Sequence, residues 1–167
     1  MNINKKYQKV VYLHGLESPQ GGPKVDYLSS KFTVYAPKMD YFDNPENIFN
    51  DQLKLIKEFN PDLIIGSSMG GYFSDRIGSH IGCDLLLFNP GTIKADEFDK
   101  EYGIKTKKGN LKCNTKVVLG IKDDVVDPGL SKEHYDNKAK IHLHPFLGHR
   151  IPQSLFEAQI EKLEYEL

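Results

Sequence analysis

An apolar run that ends in a glycine-flanked serine constrains this chain more than any other feature. Residues 63–65 (LII) lead directly into residues 66–70 (GSSMG), which have the form Gly-x-Ser-x-Gly around Ser68. This pattern is typical of a sharp turn from a strand into a helix, with the central serine exposed at the tip. Such a turn brings the two flanking glycines so close together that side chains there would collide. The sequence therefore predicts a strand, a tight turn at Ser68 and a helix over residues 72–80.

Further short apolar runs alternate with longer amphipathic segments. The sequence predicts six strands, at residues 10–13, 32–35, 63–65, 85–88, 117–119 and 141–144. The last run is more polar and alternates, which favours a position near a sheet edge. Continuous apolar strands separated by helices indicate an α/β protein with a mostly parallel sheet and helices on both faces.

The remaining segments give helix signals of different strength. A short helix is predicted over residues 23–30, and a final one over residues 152–164. A third helix is predicted to start with Asn44 as its cap and Pro45 in its first turn, and to end before Pro61. Residues 92–114 are long and charged and follow neither period, so they give no clear prediction.

Composition limits what the protein can bind. A length of 167 residues fits one domain with one core, and we expect a single domain over residues 1–167. A formal net charge of −1 argues against nucleic acid or an anionic membrane as partner. The polar residues 1–9 lack the form of a signal peptide, and the apolar runs are too short to cross a bilayer, so a cytoplasmic location is expected. Cys83 and Cys113 lack metal-type spacing and are expected to be reduced.

A serine hydroxyl becomes a useful nucleophile when a base and an orienting carboxylate lie within reach. In parallel sheets such groups come from loops after later strands, because the carboxyl ends of the strands line one crevice. The loop after the fifth predicted strand holds Asp123, Asp124 and Asp127, and the loop after the sixth holds His149. The sequence thus supplies candidates for all three roles.

The other histidines have simpler interpretations. His142 and His144 share one face of a strand and could in principle bind a metal, but no carboxylate or cysteine is near them in sequence. An ordinary strand face is therefore predicted there. His134 and His80 are predicted to be surface helix residues, and His14 a structural residue of its loop.

These segments resemble the α/β-hydrolase superfamily and, more narrowly, the small bacterial esterases of the YqiA type (UPF0227). The likeness rests on residues 12–19 (YLHGLESP), 66–72 (GSSMGGY), 88–90 (FNP) and 123–127 (DDVVD). It covers nearly the whole chain from residue 10, but residues 92–114 depart from the family. The resemblance implies a compact α/β-hydrolase fold of about six mostly parallel strands, without a large cap domain.

The resemblance also implies roles for particular residues. The family form Gly-x-x-Asp-x-x-Val makes Asp123 the acid, with Asp124 and Asp127 as alternatives, and the form Gly-His makes His149 the base. The family's oxyanion hole implies backbone N–H donors from Met69, directly after the serine, and from Leu16, in the His-Gly loop.

The function implied is hydrolysis of short-chain acyl esters through a Ser-His-Asp triad and an acyl-enzyme, with no cofactor and no metal. The alternatives are an acyl-CoA or acyl-carrier thioesterase and a non-catalytic α/β-hydrolase-like binding protein. Lys105, Lys107 and Lys108, otherwise a solvated loop, would be the docking surface for a carrier. The candidates for the acyl-binding wall are Tyr41, Phe42, Tyr72 and Phe98. The natural substrate, the oligomeric state and any closure of residues 92–114 over the site stay open.

Overall fold

Six strands form the centre of the molecule in the computed structural model, which describes residues 6–110 and 113–165. The strands are β1 (Lys9–Leu13), β2 (Thr33–Tyr35), β3 (Leu63–Ser67), β4 (Asp84–Phe88), β5 (Thr115–Gly120) and β6 (Lys140–His144). They pair in the order β2-β1-β3-β4-β5-β6, and every pairing is parallel. This arrangement confirms the predicted α/β class, and β6 occupies an edge of the sheet.

Six α-helices connect and cover the strands. They are α1 (Pro23–Ser29), α2 (Ile48–Phe59), α3 (Met69–Ile81), α4 (Ala95–Tyr102), α5 (Pro128–Tyr135) and α6 (Gln153–Tyr165), with a 3₁₀ turn at Gly91–Lys94 before α4. None of the helices in the described part of the chain is long and apolar enough to cross a membrane.

Two separate cores lie on the two faces of the sheet. Successive side chains of a strand point to opposite faces, so Val11 and Leu13 belong to one cluster while Val10 and Tyr12 belong to the other. The first cluster includes residues of α2, α3 and α5, and the second includes residues of α1 and α6. Because both faces are covered, the central strands β1, β3, β4 and β5 are mostly apolar, whereas the edge strand β6 is more polar and less buried.

Two parts of the chain differ from the sequence prediction. The helix predicted to start at Asn44 begins at Ile48 instead, so the capping role of Asn44 and the first-turn position of Pro45 are wrong. The Asn44 carbonyl accepts the N–H groups of Asn47 and Ile48 as part of a turn, and its side-chain amide donates to Asp51. The segment without a clear prediction contains the 3₁₀ turn and α4, followed by irregular chain from residue 103 to 110.

Candidate active site

Ser68 lies at the tip of the turn between β3 and α3. Its backbone has φ 54° and ψ −121°, a combination that costs a non-glycine residue energy and persists where the surroundings enforce it. The Ser68 N–H donates to the Phe88 carbonyl at 3.0 Å, and the Ser68 carbonyl accepts the Gly91 N–H at 2.8 Å. Phe88 is the last residue of β4 and Gly91 lies three residues farther on, so the end of that strand fixes the strained backbone.

The two glycines of the motif are required by close packing. A Cβ atom on Gly66 would lie 2.4 Å from the Gly70 carbonyl oxygen and 2.2 Å from Ser74 Oγ. A Cβ atom on Gly70 would lie 2.0 Å from the carbonyl oxygen of Leu13, at the end of β1. The collision expected between the two glycines thus accounts for Gly66, whereas Gly70 is needed because β1 passes against the first turn of α3.

Ser68, His149 and Asp123 form a continuous hydrogen-bonded chain. Ser68 Oγ lies 2.9 Å from His149 Nε2, and His149 Nδ1 lies 3.0 Å and 2.9 Å from the two carboxylate oxygens of Asp123. An ionised carboxylate can only accept, so Nδ1 carries the proton and Nε2 is left to accept from the serine hydroxyl. This is the tautomer that a general base needs. The catalytic role of the three residues stays a prediction.

The Asp123 carboxylate is held in its ionised form. Its side chain is only 1% exposed, and it also accepts the backbone N–H groups of Val125 at 2.8 Å and Val126 at 2.9 Å. Burial by itself would raise the pKa of Asp123, but the hydrogen bonds from His149 and from the two backbone groups outweigh burial and hold the pKa below its ordinary value. Of the other two candidates, Asp124 is exposed and Asp127 accepts the Leu130 N–H as the cap of α5.

The loop after β1 lies against the serine. A Cβ atom on Gly15 would be 3.4 Å from Ser68 Cβ. The Gly15 carbonyl accepts from His14 Nδ1 at 2.8 Å and from the Ser18 N–H at 3.2 Å, while His14 Nε2 accepts the Met39 N–H at 3.0 Å. His14 therefore has the structural role that the sequence predicts.

These contacts also orient the predicted oxyanion donors. In a trans peptide the C=O and N–H groups point in opposite directions, so the Leu16 N–H faces away from the groups that hold the Gly15 carbonyl. Met69 is the first residue of α3, where N–H groups have no partner within the helix. Among the described residues, neither the Leu16 nor the Met69 N–H donates to a protein acceptor. Both donors are available, and their role stays a prediction.

The four aromatic candidates for the acyl-binding wall occupy different environments. Tyr41 is buried in the core, and its hydroxyl donates to the His14 carbonyl at 2.6 Å. Tyr72 and Phe98 are also buried and pack against each other, with ring centroids 5.5 Å apart. Phe42 is 65% exposed. A Cβ atom on Gly91, whose N–H binds the Ser68 carbonyl, would touch the Phe98 ring, so Phe98 packs against a residue that is hydrogen-bonded to the serine backbone.

The remaining candidates lie outside this site. Among the residues that the structure describes, no three His, Cys, Asp or Glu side chains are grouped to hold a metal ion. His80 is exposed and His134 is half-buried, and both cysteines are free thiols. The lysines of the predicted solvated loop are all exposed, at positions 105, 107 and 108.

One buried residue next to the triad was not given a role by sequence reasoning. Asn89 follows β4, has φ 41° and is 1% exposed. Its side chain binds backbone groups of Gly120, Gly148 and His149. The available signal was an Asn-Pro pair directly after an apolar strand, since Asn is one of the few residues that adopt positive φ readily.

Comparison with known proteins places the chain in a family. The model of UPF0227, described as an uncharacterised protein family, matches residues 9–113. A UPF0227 protein of Pasteurella multocida is 28% identical over 144 residues, which cover 71% of this chain and 77% of that protein. A pantothenate synthetase of Clostridium botulinum is 32% identical over 90 residues, and the match covers only 32% of that enzyme.

Several solved structures have the same fold. A putative hydrolase of the α/β superfamily from Xanthomonas campestris has a TM-score of 0.74 at 16% identity, covering 98% of this chain and 99% of that one. A monoacylglycerol lipase of Paleococcus ferrophilus has a TM-score of 0.69 at 14% identity, covering 94% of each chain. At these identities the likeness establishes the fold alone. The chain belongs to the UPF0227 family and has the α/β-hydrolase fold.

Proposed function

We propose that this protein is a serine hydrolase that cleaves esters of short-chain carboxylic acids. The observation that carries the proposal is the 2.9 Å contact between Ser68 Oγ and His149 Nε2, made by an imidazole whose other nitrogen binds the Asp123 carboxylate. Serine, imidazole and carboxylate in this relation recur on unrelated folds that perform acyl transfer. The fold adds support, because solved relatives of the same architecture include a lipase.

In the first half of the reaction Ser68 Oγ attacks the acyl carbonyl carbon while His149 Nε2 takes the hydroxyl proton. The Leu16 and Met69 N–H groups bind the oxygen on which negative charge develops, and preorganised donors of this kind contribute much of the rate. Asp123 stabilises the imidazolium and keeps its ring in place. His149 then gives the proton to the leaving alcohol as the carbon–oxygen bond breaks, which leaves an acyl ester on Ser68.

In the second half water replaces the alcohol. His149 Nε2 takes a proton from water, the hydroxide oxygen attacks the acyl carbon, and the proton returns to Ser68 Oγ as the carboxylic acid departs. Between α4 and residue 113, the described part of the chain contains only the short irregular segment 103–110. This segment is too short to form a large cap. An uncapped site bounded by the buried rings of Tyr72 and Phe98 favours short acyl groups.

A thioester of an acyl carrier or of CoA is the second candidate substrate. One observation favours it. Thr106 binds the hydroxyl of Tyr72, a residue in the first turn of α3, at 2.6 Å, and the lysines on either side of Thr106 are exposed. Basic side chains at Lys105 and Lys107 would face the phosphate of a pantetheine carrier. Parallel assays with an ester and a thioester of the same acyl group separate the two candidates.

The test of the proposal is covalent labelling by a fluorophosphonate, followed by intact-mass spectrometry. The wild-type protein should gain one adduct, and Ser68→Ala should gain none. His149→Ala should react on the order of 10⁶-fold more slowly, because the serine loses its base. Ser67→Ala is the matched control, since it removes the neighbouring hydroxyl and should leave labelling intact. A folded wild-type protein without an adduct would overturn the proposal and favour a non-catalytic binding protein.

A further inference from the structure

Asn89 is a polar side chain enclosed between the loops that carry the triad. It is 1% exposed and directly follows β4. Its Oδ1 accepts the Gly120 N–H at 2.8 Å, and its Nδ2 donates to the carbonyls of Gly148 and His149, each at 2.9 Å. A side-chain amide has two N–H donors and a carbonyl acceptor, so both donors and the acceptor of Asn89 are engaged. Only this orientation of the amide satisfies all three partners.

The three partners belong to the loops of the acid and the base. Gly120 ends β5 and opens the loop to Asp123, and its own carbonyl accepts the Asp123 N–H at 3.1 Å. Gly148 and His149 belong to the loop after β6. His149 is therefore held by Asn89 at its backbone carbonyl, while its imidazole is the proposed general base. The two loops also meet directly, because the Lys122 N–H donates to the Leu147 carbonyl at 3.0 Å.

The backbone around Asn89 reaches the third member of the triad. The carbonyl before it, from Phe88, accepts the Ser68 N–H, and the N–H two residues later, from Gly91, donates to the Ser68 carbonyl. The Asn89 N–H itself donates to Val118 of β5 at 2.9 Å. One four-residue segment, 88–91, thus makes hydrogen bonds to the backbone on which Ser68 sits and to both loops that carry its partners.

We infer that Asn89 is a positioning residue that sets the His149 imidazole between Ser68 and Asp123, an inference that rests on the proposed function. Asn89 touches no reacting atom, so it acts through His149. Asp123 binds the imidazole of His149 at Nδ1, and Asn89 binds the backbone carbonyl of the same residue. These two anchors fix the distance from Nε2 to Ser68 Oγ. A displacement of about 1 Å in a catalytic group costs on the order of 100-fold in rate.

The chemistry of this position selects asparagine. An aspartate would keep the acceptor for Gly120 but present an oxygen to the carbonyls of Gly148 and His149, which would repel it. A glycine would accept the positive φ without strain but leave three backbone groups without their partner. Both substitutions remove the two N–H donors. Aspartate does so with nearly the same side-chain volume, and glycine does so without strain in the backbone.

The experiment compares Asn89→Asp and Asn89→Gly with wild type, and takes Asn60→Gly as the control. Asn60 also has a positive φ, 53°, but it lies at the exposed end of α2. The activity readouts are kcat and KM for a small chromogenic acyl ester, with active sites counted by fluorophosphonate titration. The structural readout is the low-field proton NMR resonance of the His149 Nδ1–H, assigned by its absence in His149→Ala.

Both Asn89 variants should lower kcat by on the order of 100-fold while KM stays within about threefold. The low-field resonance should shift or broaden in both variants and stay unchanged in Asn60→Gly. A kcat within threefold of wild type in the folded Asn89→Asp protein, or an unchanged resonance, would overturn the inference. Failure of both variants to fold would also overturn it, because Asn89 would then serve folding rather than the site.

The outcomes separate this inference from the proposed function. A wild-type protein that never reacts with the fluorophosphonate defeats the proposed function, yet the resonance still reports the contact between His149 and Asp123 in each variant. A reactive wild type with fully reactive Asn89 variants defeats the inference alone.

Discussion

The elbow that contains Ser68 and the segment next to it are held in place by different physical means. The first is the elbow, residues 66–71, where added atoms would collide with backbone at Gly66 and at Gly70. The second is the flanking segment, residues 91–110, which lies across α3 and α5 through side-chain contacts. Excluded volume leaves the elbow one conformation, whereas the flanking segment depends on a few contacts that can be exchanged individually.

The contacts of the flanking segment are spaced along its length. Thr92 binds the Tyr135 hydroxyl at 2.7 Å, Phe98 packs on Tyr72, and Thr106 binds the Tyr72 hydroxyl at 2.6 Å. Farther on, His80 binds the carbonyl of residue 107 at 3.1 Å. The proposed nucleophile is therefore held by backbone packing in the elbow, while the flanking segment, which we propose helps to select the substrate, is held mainly by side-chain contacts.

The largest effect is expected for Gly70→Ala. A Cβ atom 2.0 Å from the Leu13 carbonyl oxygen can be accommodated only if backbone moves, so the free energy of unfolding should fall by more than about 4 kcal/mol. Gly148→Ala is the control, because the nearest atom to its Cβ would be at an ordinary 3.7 Å. Urea denaturation of both variants gives the measurement. Equal stability of the two variants would contradict the claim that excluded volume fixes the elbow.

A smaller effect is expected for Phe98→Ala in the flanking segment. Removal of this buried ring should cost about 3 kcal/mol of unfolding free energy and open the side of the site next to Gly91, which should change KM among acyl lengths more than kcat. Phe42→Ala removes the same ring at a 65% exposed position and should change stability little. The readouts are urea denaturation and KM for a series of acyl esters. Identical acyl preferences in wild type and Phe98→Ala would remove the flanking segment from substrate selection.

The smallest effect is expected in the stability of the protein above pH 10, to which the buried Tyr135 hydroxyl contributes. Burial, reinforced by the Asp75 carboxylate to which the hydroxyl donates at 2.6 Å, raises the pKa of Tyr135 well above the ordinary value of 10.0. Above pH 10 the unfolded chain loses this proton while the folded protein keeps it, so stability falls as pH rises. The slope contributed is about 1.4 kcal/mol per pH unit.

Tyr135→Phe should therefore show a shallower loss of stability between pH 10 and 11, even though it is less stable at neutral pH. Tyr12→Phe is the matched control on the opposite face of the sheet, where burial raises the pKa of Tyr12 to about 12. Tyr12→Phe should reduce the dependence of stability on pH by a similar amount while the hydrogen bond between Thr92 and Tyr135 stays intact. Urea denaturation at stepped pH measures both, and an unchanged slope in Tyr135→Phe would contradict the buried, neutral hydroxyl.

The sequence predicts what backbone sterics and strand period decide. The glycines around Ser68 and the uninterrupted apolar strands determine the turn and the parallel sheet, and both agree with the structure. The parallel order then brings the loops of Asp123 and His149 to the serine, since all of them follow strands at one edge.

The rest depends on tertiary contacts that no local pattern contains. The start of α2 was misplaced because Asn44 forms a turn with its own neighbours, and capping propensity alone does not exclude that alternative. Residues 92–110 contain α4, whose Phe98 side chain is buried against Gly91. The charged composition of the segment gives no sign of this tertiary contact. Asn89 was missed because its partners lie 31 to 60 residues away in sequence.

The strand order also has a consequence in time. Ser68 and His149 are separated by 81 positions, and the imidazole comes from the loop after the edge strand β6, which pairs only with β5 among the described strands. During synthesis the elbow can form against β1 and β4 long before residue 149 leaves the ribosome. Under the proposed mechanism, the serine hydroxyl of a growing chain has no His149 beside it, so we expect the hydrolase activity to arise only after the chain is long enough to include that loop.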